Sequence, residues 1–564
     1  RRYLAVKSAT SLHSIPTECK SKDGISSSAA TTKTADVHCR HPSGFDGSAH
    51  HHLFESESSK VEIKAMQTAK RASTIWQDTH RWYIFTTTLN CGGKKPPAPG
   101  SLPFLRWIPP KSYDIYAIAL QECKARDDWF HGLLHHINAH GDSKLGNDDY
   151  VMISNVSMMT IHLVIFVRRG VMGRGVLPLG TSSRAMGFAH VIGNKGSVLA
   201  SLVLSETTRV CFVGSHFAAR ASAKRLKKRE KNYVESVAHL QTDTRSELLH
   251  SYDHIFWLGD FNYRVNLGKH GTPEEFSRVK TLIKHGQFDV LTANDQLLKA
   301  MSSESVFYGF SEGKIDFAPT YRMEPGTTGQ VYGNKRFQNP SYCDRILWRS
   351  RQGLNDVVTL HSYRPCWEMN RGDHRPVVAT FALKNRRLHA ISESVTHRRL
   401  ETGAVHIMDL QLRVARDIIP GGHNASCRVT FSGEVLRETV GTAAMVTRSE
   451  ANLSFPVHAH WSEHDIPLLS TWTVDAAFLA REHVHVRIEY QESGTMGLTT
   501  HWKVVGEGEL WLGPIVNRFP IGSEAKYDLP LVKGGQRVGA LGMRVWYVQM
   551  AERSEKHSAP ILRR

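Results

Sequence analysis

One kind of residue keeps recurring beside the apolar runs of this 564-residue chain. Asn90 follows IFTTTL, Glu122 follows IALQ and His216 follows CFVGS. Asp260 and Asn262 come after IFWLG, while Asp373 and His374 precede RPVV. Carboxylates, amides and imidazoles are the side chains that hold hard cations, orient water and move protons. Where an apolar run ends they project at the rim of a sheet, and ligand sites in open sheets gather there. Each residue alone is ordinary surface, so the case for a site rests on the whole set.

The elements that must position this set can also be read. From Trp82 to Leu383 short apolar runs recur, among them YDIYAIALQE (113–122), RVCFVGSHF (209–217), HIFWLGDFN (254–262), CDRILWR (343–349) and RPVVATFAL (375–383). Runs of this length bounded by polar clusters predict buried strands. Helix-like stretches lie between them, at Asn232 to Leu249 and Glu274 to Ala300. That alternation predicts a layered α/β or α+β domain of about 300 residues. Residues 1–77 are rich in Ser, Thr, Lys and His and lack periodicity, so a disordered tail is expected there. Residues 385–403 read as a basic linker. From Ala404 the texture alternates, with VHIMDLQLRVA, SCRVTFSG, VHVRIEY, GEGELWLG and GMRVWYVQM separated by turn residues. This predicts an all-β sandwich over 404–552, followed by a short tail at 553–564.

Composition narrows the partners. The chain carries 71 Lys+Arg against 53 Asp+Glu, a formal charge of +18. That favours anionic partners: nucleic acid, an acidic membrane face or a polyphosphate. The eight Cys form no CxxC pair, which points to a reducing compartment rather than a disulfide scaffold or zinc ribbon. The longest apolar run, Ile161 to Val167, falls far short of the ~20 residues a bilayer span needs. A soluble or peripheral protein is expected. The chain opens on Arg1, as a trimmed sequence would, and shows no secretory signal.

The ensemble of motifs resembles the catalytic domain of the inositol polyphosphate 5-phosphatases, within the endonuclease/exonuclease/phosphatase superfamily. WLGDFNYR (257–264) and PSYCDRILW (340–348) carry the likeness most specifically. TLNCGG (88–93), DIYAIALQE (114–122), GNKGSV (193–198), CFVGSHFAA (211–219), FAPTYR (317–322) and GDHRPV (372–377) complete it in family order. The resemblance implies a four-layer α/β catalytic domain over 78–384 and hydrolysis of an inositol 5-phosphate by direct water attack. It implies Mg²⁺ as cofactor, held by Glu122 with Asn90. Asp260 would orient and deprotonate the water, and Asn262 would hold water or phosphate in line. His374, oriented by Asp373, would donate to phosphate oxygens, as would His216. Lys195, Arg264, Tyr321, Arg322 and Arg336, with Lys335 adjacent, would grip the substrate phosphates. Where the family has Lys at two of these positions, this chain has Arg322 and Arg336, whose planar forks can still hold phosphate.

Three departures stand out: Leu89 for the family's Trp, Tyr342 for Trp, and Gly372 for Ser. The first two concern packing; the third is expected to loosen Asp373. RASAKRLKKREK (220–231) holds seven basic residues against one acidic, suited to an anionic membrane at roughly 1 kcal/mol per charge. It lacks the interleaved aromatics of a nucleic-acid patch, and no nucleic acid is expected. The C-terminal sandwich resembles the C2-type domain of the SH2-containing inositol 5-phosphatases, through LQLRVARDI (410–418) and SCRVTFSG (426–433). It lacks a D-x-D calcium loop, and an immunoglobulin-like sandwich is the alternative. A phosphoinositide phosphatase, cytoplasmic and peripherally membrane-associated, is therefore expected. Its rivals are a nuclease of the same superfamily and a membrane-recruited scaffold with vestigial catalysis.

Overall fold

The computed structural model describes residues 81–550 apart from 140–148, 187–194, 241–246, 385–401, 416, 421–423, 450–455, 473, 494–499 and 519–522. The expected tails, most of the linker and part of the GNKGSV motif therefore lie outside the described residues. The N-terminal body contains strands β1 (Arg81–Asn90), β2 (Ile115–Gln121), β3 (Tyr150–Met158), β4 (Ile161–Arg168), β5 (Leu177–Ala185) and β6 (Gly196–Leu204). It continues with β7 (Thr208–His216), β8 (His254–Asp260), β9 (Ser311–Glu312), β10 (Asp344–Ser350), β11 (Val358–Pro365) and β12 (Val377–Lys384). They form two six-stranded sheets, ordered β11-β12-β1-β2-β4-β3 and β5-β6-β7-β8-β10-β9.

The sheets pack face to face. One core cluster takes Ile84, Ile115, Ala117, Ile165 and Phe381 from the first sheet and Val198, Phe212, Phe256, Leu258 and Ile346 from the second. Helix α1 (Arg126–Ala139) covers the outer face of the first sheet, placing Trp129, Leu133 and Ile137 against Phe85, Tyr116 and Ile118. Helix α2 (Ala223–His239) covers the second, with Tyr233 and Val237 against Val213 and Trp257. This is the expected four-layer α/β architecture. It explains the apolar runs, since strands covered on both faces have no solvent side to alternate with. Strands β2 and β8 are buried at every position.

Helix α2 begins at Ala223, well before the Asn232 start that periodicity suggested. Ser222 stands at the N-cap, and the Lys and Arg of the basic run are good helix formers. Only every third or fourth residue turns inward (Arg229, Asn232, Tyr233, Ser236, Val237), so the start of the helix reads as charge rather than amphipathy. The stretch 274–300 breaks into helix α3 (Pro273–Lys284) and two short helices, Phe288–Ala293 and Gln296–Ser302.

The C-terminal strands are β13 (Thr402–Val414), β14 (Ser426–Ser432), β15 (Val440–Gly441), β16 (Met445–Val446), β17 (Arg448–Ser449) and β18 (Val457–Trp461). After them come β19 (Leu469–Thr471), β20 (His483–Ser493), β21 (Thr500–Trp511), β22 (Ala525–Lys533) and β23 (Gln536–Met550). The sheet path is β15-β14-β20-β21-β22-β23-β13-β18-β17, but β21 and β22 share a single pairing, Glu507 with Val532. The path folds there. Val429, Phe431, Val486 and Ile488 from one half share a core with Leu412, Val414, Leu529 and Leu541 from the other. No helix among the described residues is long and apolar enough to cross a membrane.

All described residues belong to one compact unit, and the strand-rich region docks on the α/β body. Val532 joins the core cluster of Tyr233 and Trp257. The Tyr233 hydroxyl donates to Gly535 O at 3.3 Å, and Gln536 Nε2 donates to Ser305 O at 2.6 Å. Arg351 Nε lies 2.8 Å from Glu509 Oε1. Glu247 accepts from Gly534 N at 2.9 Å. Burial, with Glu507 nearby, pushes the Glu247 carboxyl up to about 7, against the pull of Gly534 N–H, Lys533 and Arg487. The folded chain therefore binds more protons here than the unfolded chain between about pH 4.5 and 7, and stability falls as pH rises through that window. Glu247→Gln is expected to flatten this dependence and to stabilise the chain above pH 7 by on the order of 1–2 kcal/mol. Thermal melts from pH 5 to 8 would show it; an unchanged pH profile would refute it.

Candidate active site

Strand register assembles the site. Strands β7 and β8 run parallel with His216 opposite Asp260, and β10 runs antiparallel to β8 with Asp344 opposite Asp260. Three ionisable side chains thus end three neighbouring strands at one rim. Gly259 makes this possible: a Cβ there would lie 2.1 Å from Ser215 O, so no other residue lets β8 pass so close to β7. In the facing sheet, β1 and β2 run parallel with Asn90 opposite Gln121, and Glu122 follows. The two rims meet where Asn90 Nδ2 donates to Asp260 Oδ2 at 2.9 Å.

Asp260 is the hub. Asn262 N donates to its Oδ1 at 3.1 Å, His216 Nε2 lies 3.1 Å from Oδ2, and His374 Nε2 lies 3.9 Å from Oδ2. Burial alone would raise its pKa, but His216, His374 and Lys195 outweigh that and hold the carboxyl well below its ordinary range. His216 is pushed down by burial, against the pull of Asp260. His374 is also buried, yet the Asp344 and Asp260 carboxylates raise it to about 9. Glu122 differs from these buried groups. Its side chain is 42 % exposed, and Lys195 Nζ and His216 Nε2 each stand 3.9 Å from Oε1, beyond hydrogen-bonding distance. Lys195 Nζ lies against the His216 ring. Glu122 (φ 48°) and Asn262 (φ 59°) both take left-handed backbone, the kind of local strain that clusters at functional sites.

One expected pairing is corrected. His374 is oriented by Asp344, whose Oδ2 accepts from Nδ1 at 2.9 Å, and not by Asp373. Asp373 sits on the loop before β12 and pairs with Arg322 Nε at 3.4 Å. Asp344, within PSYCDRILW, is a site residue that sequence reasoning missed. Its signal was the one the others carried, a carboxylate at the end of an apolar strand. Thr320 Oγ1 also donates to Asp344, at 2.9 Å. Asp260, Asp344 and His374 form the one group of potential metal-binding side chains found among the described residues.

The polar rim of the site carries Lys195, Arg264, Tyr321 and Arg322. Arg264 is buried, donates from Nε to Asn262 O at 3.1 Å, and lies 4.4 Å over the Tyr321 ring. The Tyr321 ring is 4.5 Å from that of His374, and its hydroxyl donates to Gln338 Oε1 at 2.6 Å. Lys335 and Arg336 sit exposed on a turn over Lys335–Phe337 and touch none of these groups. Sequence reasoning also missed Arg229, counted there as one more surface charge. It is buried beneath α2, donates to Ala218 O and Arg220 O at 3.1 and 2.7 Å, and so holds the loop that follows His216.

The departures are packing differences. Leu89 is buried in the cluster of Phe104 and Trp107, and the Tyr342 hydroxyl donates to Phe317 O at 2.9 Å. A Cβ on Gly372 would meet nothing closer than 3.8 Å. Gly372→Ser is therefore expected to leave turnover within about twofold, as for a substitution that disturbs no packing. A larger change in steady-state rate would show that the missing hydroxyl matters.

The chain belongs to endonuclease/exonuclease/phosphatase family 2, whose model matches residues 87–380. It is 35 % identical over 248 residues to the polyphosphatidylinositol phosphatase INP53 of Saccharomyces cerevisiae, covering 44 % of this chain and 21 % of that protein. It is 30 % identical over 351 residues to the phosphatidylinositol 3,4,5-trisphosphate 5-phosphatase 1 of Rattus norvegicus, covering 58 % of this chain and 28 % of the relative. The matches thus span about a fifth to a quarter of these relatives' length. Among solved structures it is similar to the inositol polyphosphate 5-phosphatase domain of SpSynaptojanin, in complex with inositol (1,4)-bisphosphate and calcium ion. That likeness has a TM-score of 0.47 and 24 % identity, covering 58 % of this chain and 93 % of the other.

Proposed function

We propose that this chain is a Mg²⁺-dependent phosphatase that removes the 5-phosphate from phosphoinositides such as phosphatidylinositol 4,5-bisphosphate or 3,4,5-trisphosphate, and from soluble inositol polyphosphates. The observation that carries the reading is the convergence of Asn90, Glu122, His216, Asp260, Asp344 and His374 at one rim, bordered by Lys195, Arg264, Tyr321 and Arg322. The names of the relatives support the substrate class.

The residues present fit a hard cation. Glu122 offers a part-exposed carboxylate outside hydrogen-bonding distance of Lys195 and His216, and Asn90, opposite the residue before Glu122 in the strand register, offers an amide oxygen that also accepts from Gly92 N at 3.0 Å. When bound, the ion neutralises charge on the scissile phosphate and the leaving alkoxide. Asp260, ionised throughout the physiological range, orients the attacking water and takes its proton as the bond to phosphorus forms. Asn262, fixed by its backbone bond to Asp260 and by its side-chain bond to Phe217 O at 3.2 Å, holds the water or phosphate in line. His374, charged through its contact with Asp344, donates to the phosphate oxygens, and His216 donates from the adjacent strand. Donors already aimed at the developing charge supply the largest share of such catalysis. Lys195, Arg264 and Arg322 hold the remaining phosphates. Lys335 and Arg336, on the exposed turn just before Gln338, the partner of the Tyr321 hydroxyl, would add positive charge for a further phosphate.

The exposed Lys224, Lys227, Lys228 and Lys231 of α2 suit an anionic lipid face, which supports reading the protein as cytoplasmic and peripherally membrane-associated. The strand-rich region is read as a calcium-independent C2-like sandwich. The test is phosphate release by the full chain with Mg²⁺ on four substrates: the two lipids in vesicles and their soluble headgroups. Release from at least one is expected, and lipid above headgroup supports the membrane reading. Headgroup preference overturns the membrane part. No release from a folded chain overturns the catalytic assignment.

A further inference from the structure

Gln296 heads the short helix Gln296–Ser302, lies outside every motif that carries the family likeness, and takes no part in the chemistry above. Its side-chain oxygen stands between two arginines. Arg229 Nη2 donates to Oε1 at 2.6 Å, and Arg264 N donates to the same atom at 3.1 Å. Both neighbours are donors, so the amide must present its oxygen to them. The Gln296 N–H donates in turn to Arg264 O at 3.0 Å. One residue therefore holds both backbone groups of Arg264. Gln296 is itself fixed: Asp295 Oδ1 accepts from Leu297 N and Leu298 N, each at 3.1 Å, and from Arg345 Nη1 at 2.8 Å.

Arg229 anchors the arrangement from the other side. It is fully buried, and its guanidinium ties Gln296 Oε1 to Ala218 O and Arg220 O, three oxygens that a planar fork can reach at once. Ala218 and Arg220 belong to the loop after His216. Phe217 O of that loop accepts from Asn262 Nδ2 at 3.2 Å, and Asn262 Oδ1 accepts from Arg264 Nη2. A ring of hydrogen bonds thus closes through Arg229, Gln296, Arg264, Asn262 and the 217–220 loop. Two of its members, Asn262 and Arg264, are the residues read above as holding water and phosphate.

We propose that Gln296, anchored by Arg229, is a positioning residue for that pair. It touches no reacting atom. It sets the main chain at Arg264, and through the Arg264 side chain it sets the rotamer of Asn262. Removing Oε1 leaves Arg264 N and Arg229 Nη2 without an acceptor, and the guanidinium and amide that meet the phosphate lose their fixed aim. A displacement of that kind lowers rate although the chemistry lies elsewhere. The inference rests on the reading of Arg264 and Asn262 given above.

The experiment compares Gln296→Met, Arg264→Met and the double variant of the full chain, by steady-state phosphate release with Mg²⁺ on soluble inositol 1,4,5-trisphosphate at 25 °C. Gln296→Met keeps the bulk of the side chain and removes both acceptor bonds. It is expected to lower kcat/KM by about 10–100-fold. Because Gln296 acts through Arg264, the double variant should fall no more than about twofold below Arg264→Met alone. Gln296→Glu, whose carboxylate can accept both bonds, should restore most of the rate. Should Gln296→Met fail to fold, Arg229→Lys, which keeps the charge and loses the fork, runs the same cycle with the same expectation. A single variant within twofold of the parent, or a double variant that shows the product of the two losses, overturns the proposal. A parent chain that releases no phosphate refutes the phosphatase reading instead. Amide hydrogen exchange then tests the clamp itself: the Arg264 N–H should exchange faster in Gln296→Met and not in Gln296→Glu, and equal exchange in both overturns it.

Discussion

Asp260→Asn is expected to lower kcat by about 10²–10⁴-fold, the range of a lost acid–base group, with the fold intact. The substitution keeps the shape of the side chain but removes its charge and one acceptor. Asp260 now accepts from Asn90 Nδ2 and Asn262 N while facing His216 and His374. An amide at this point has a single acceptor oxygen, and its NH₂ would be turned against a donor. The attacking water loses its acceptor, and both histidines lose the anion that favours their charged forms. Steady-state kinetics with a thermal melt as control would check it. A variant within tenfold of the parent rate would remove Asp260 from the mechanism.

The second large effect concerns Asp344. Asp344→Asn is expected to lower kcat by about 10²–10⁴-fold near pH 8 and to change the pH profile, whereas Asp373→Asn should do neither. Burial works against a charged His374, and the Asp344 and Asp260 carboxylates overcome it to raise the imidazole to about 9. Removing the first carboxylate lets the proton leave at lower pH. The alkaline limb of kcat should then move down by about two pH units, toward the ordinary histidine value of about 6.5. The loss should be smallest on the acid side, where His374 stays protonated in both forms. Asp373 pulls His374 upward less than Asp344 or Asp260 does, makes no hydrogen bond to it, and is paired with Arg322 at 3.4 Å. If Asp373→Asn shifted the limb and Asp344→Asn did not, the pairing described here would be wrong.

Much of this arrangement was legible in the residues. Runs such as IYAIALQ and HIFWLGD stand out because strands covered on both faces need apolar side chains at every position. The polar residues that end those runs, Asn90, Glu122, His216 and Asp260, stand out for the complementary reason. They sit where the backbone leaves the core, and there a polar side chain costs little. The order of motifs along the chain carried the family. The alternating texture after Ala404 marked a second, strand-rich region, because strands such as β14 bury one face.

Which of these groups touch was decided only by the tertiary structure. Asp373 is next to His374 in sequence, yet adjacent residues on an extended segment point apart. Asp344 reaches His374 because β10 pairs with β8 in the register that sets Asp344 opposite Asp260. The same holds for Arg229. In a run of seven basic residues nothing local distinguishes the one that turns inward, and its burial follows from the loop it must hold. Local pattern determines which residues are buried and which stand at a rim. Register between strands distant in sequence determines which of them meet.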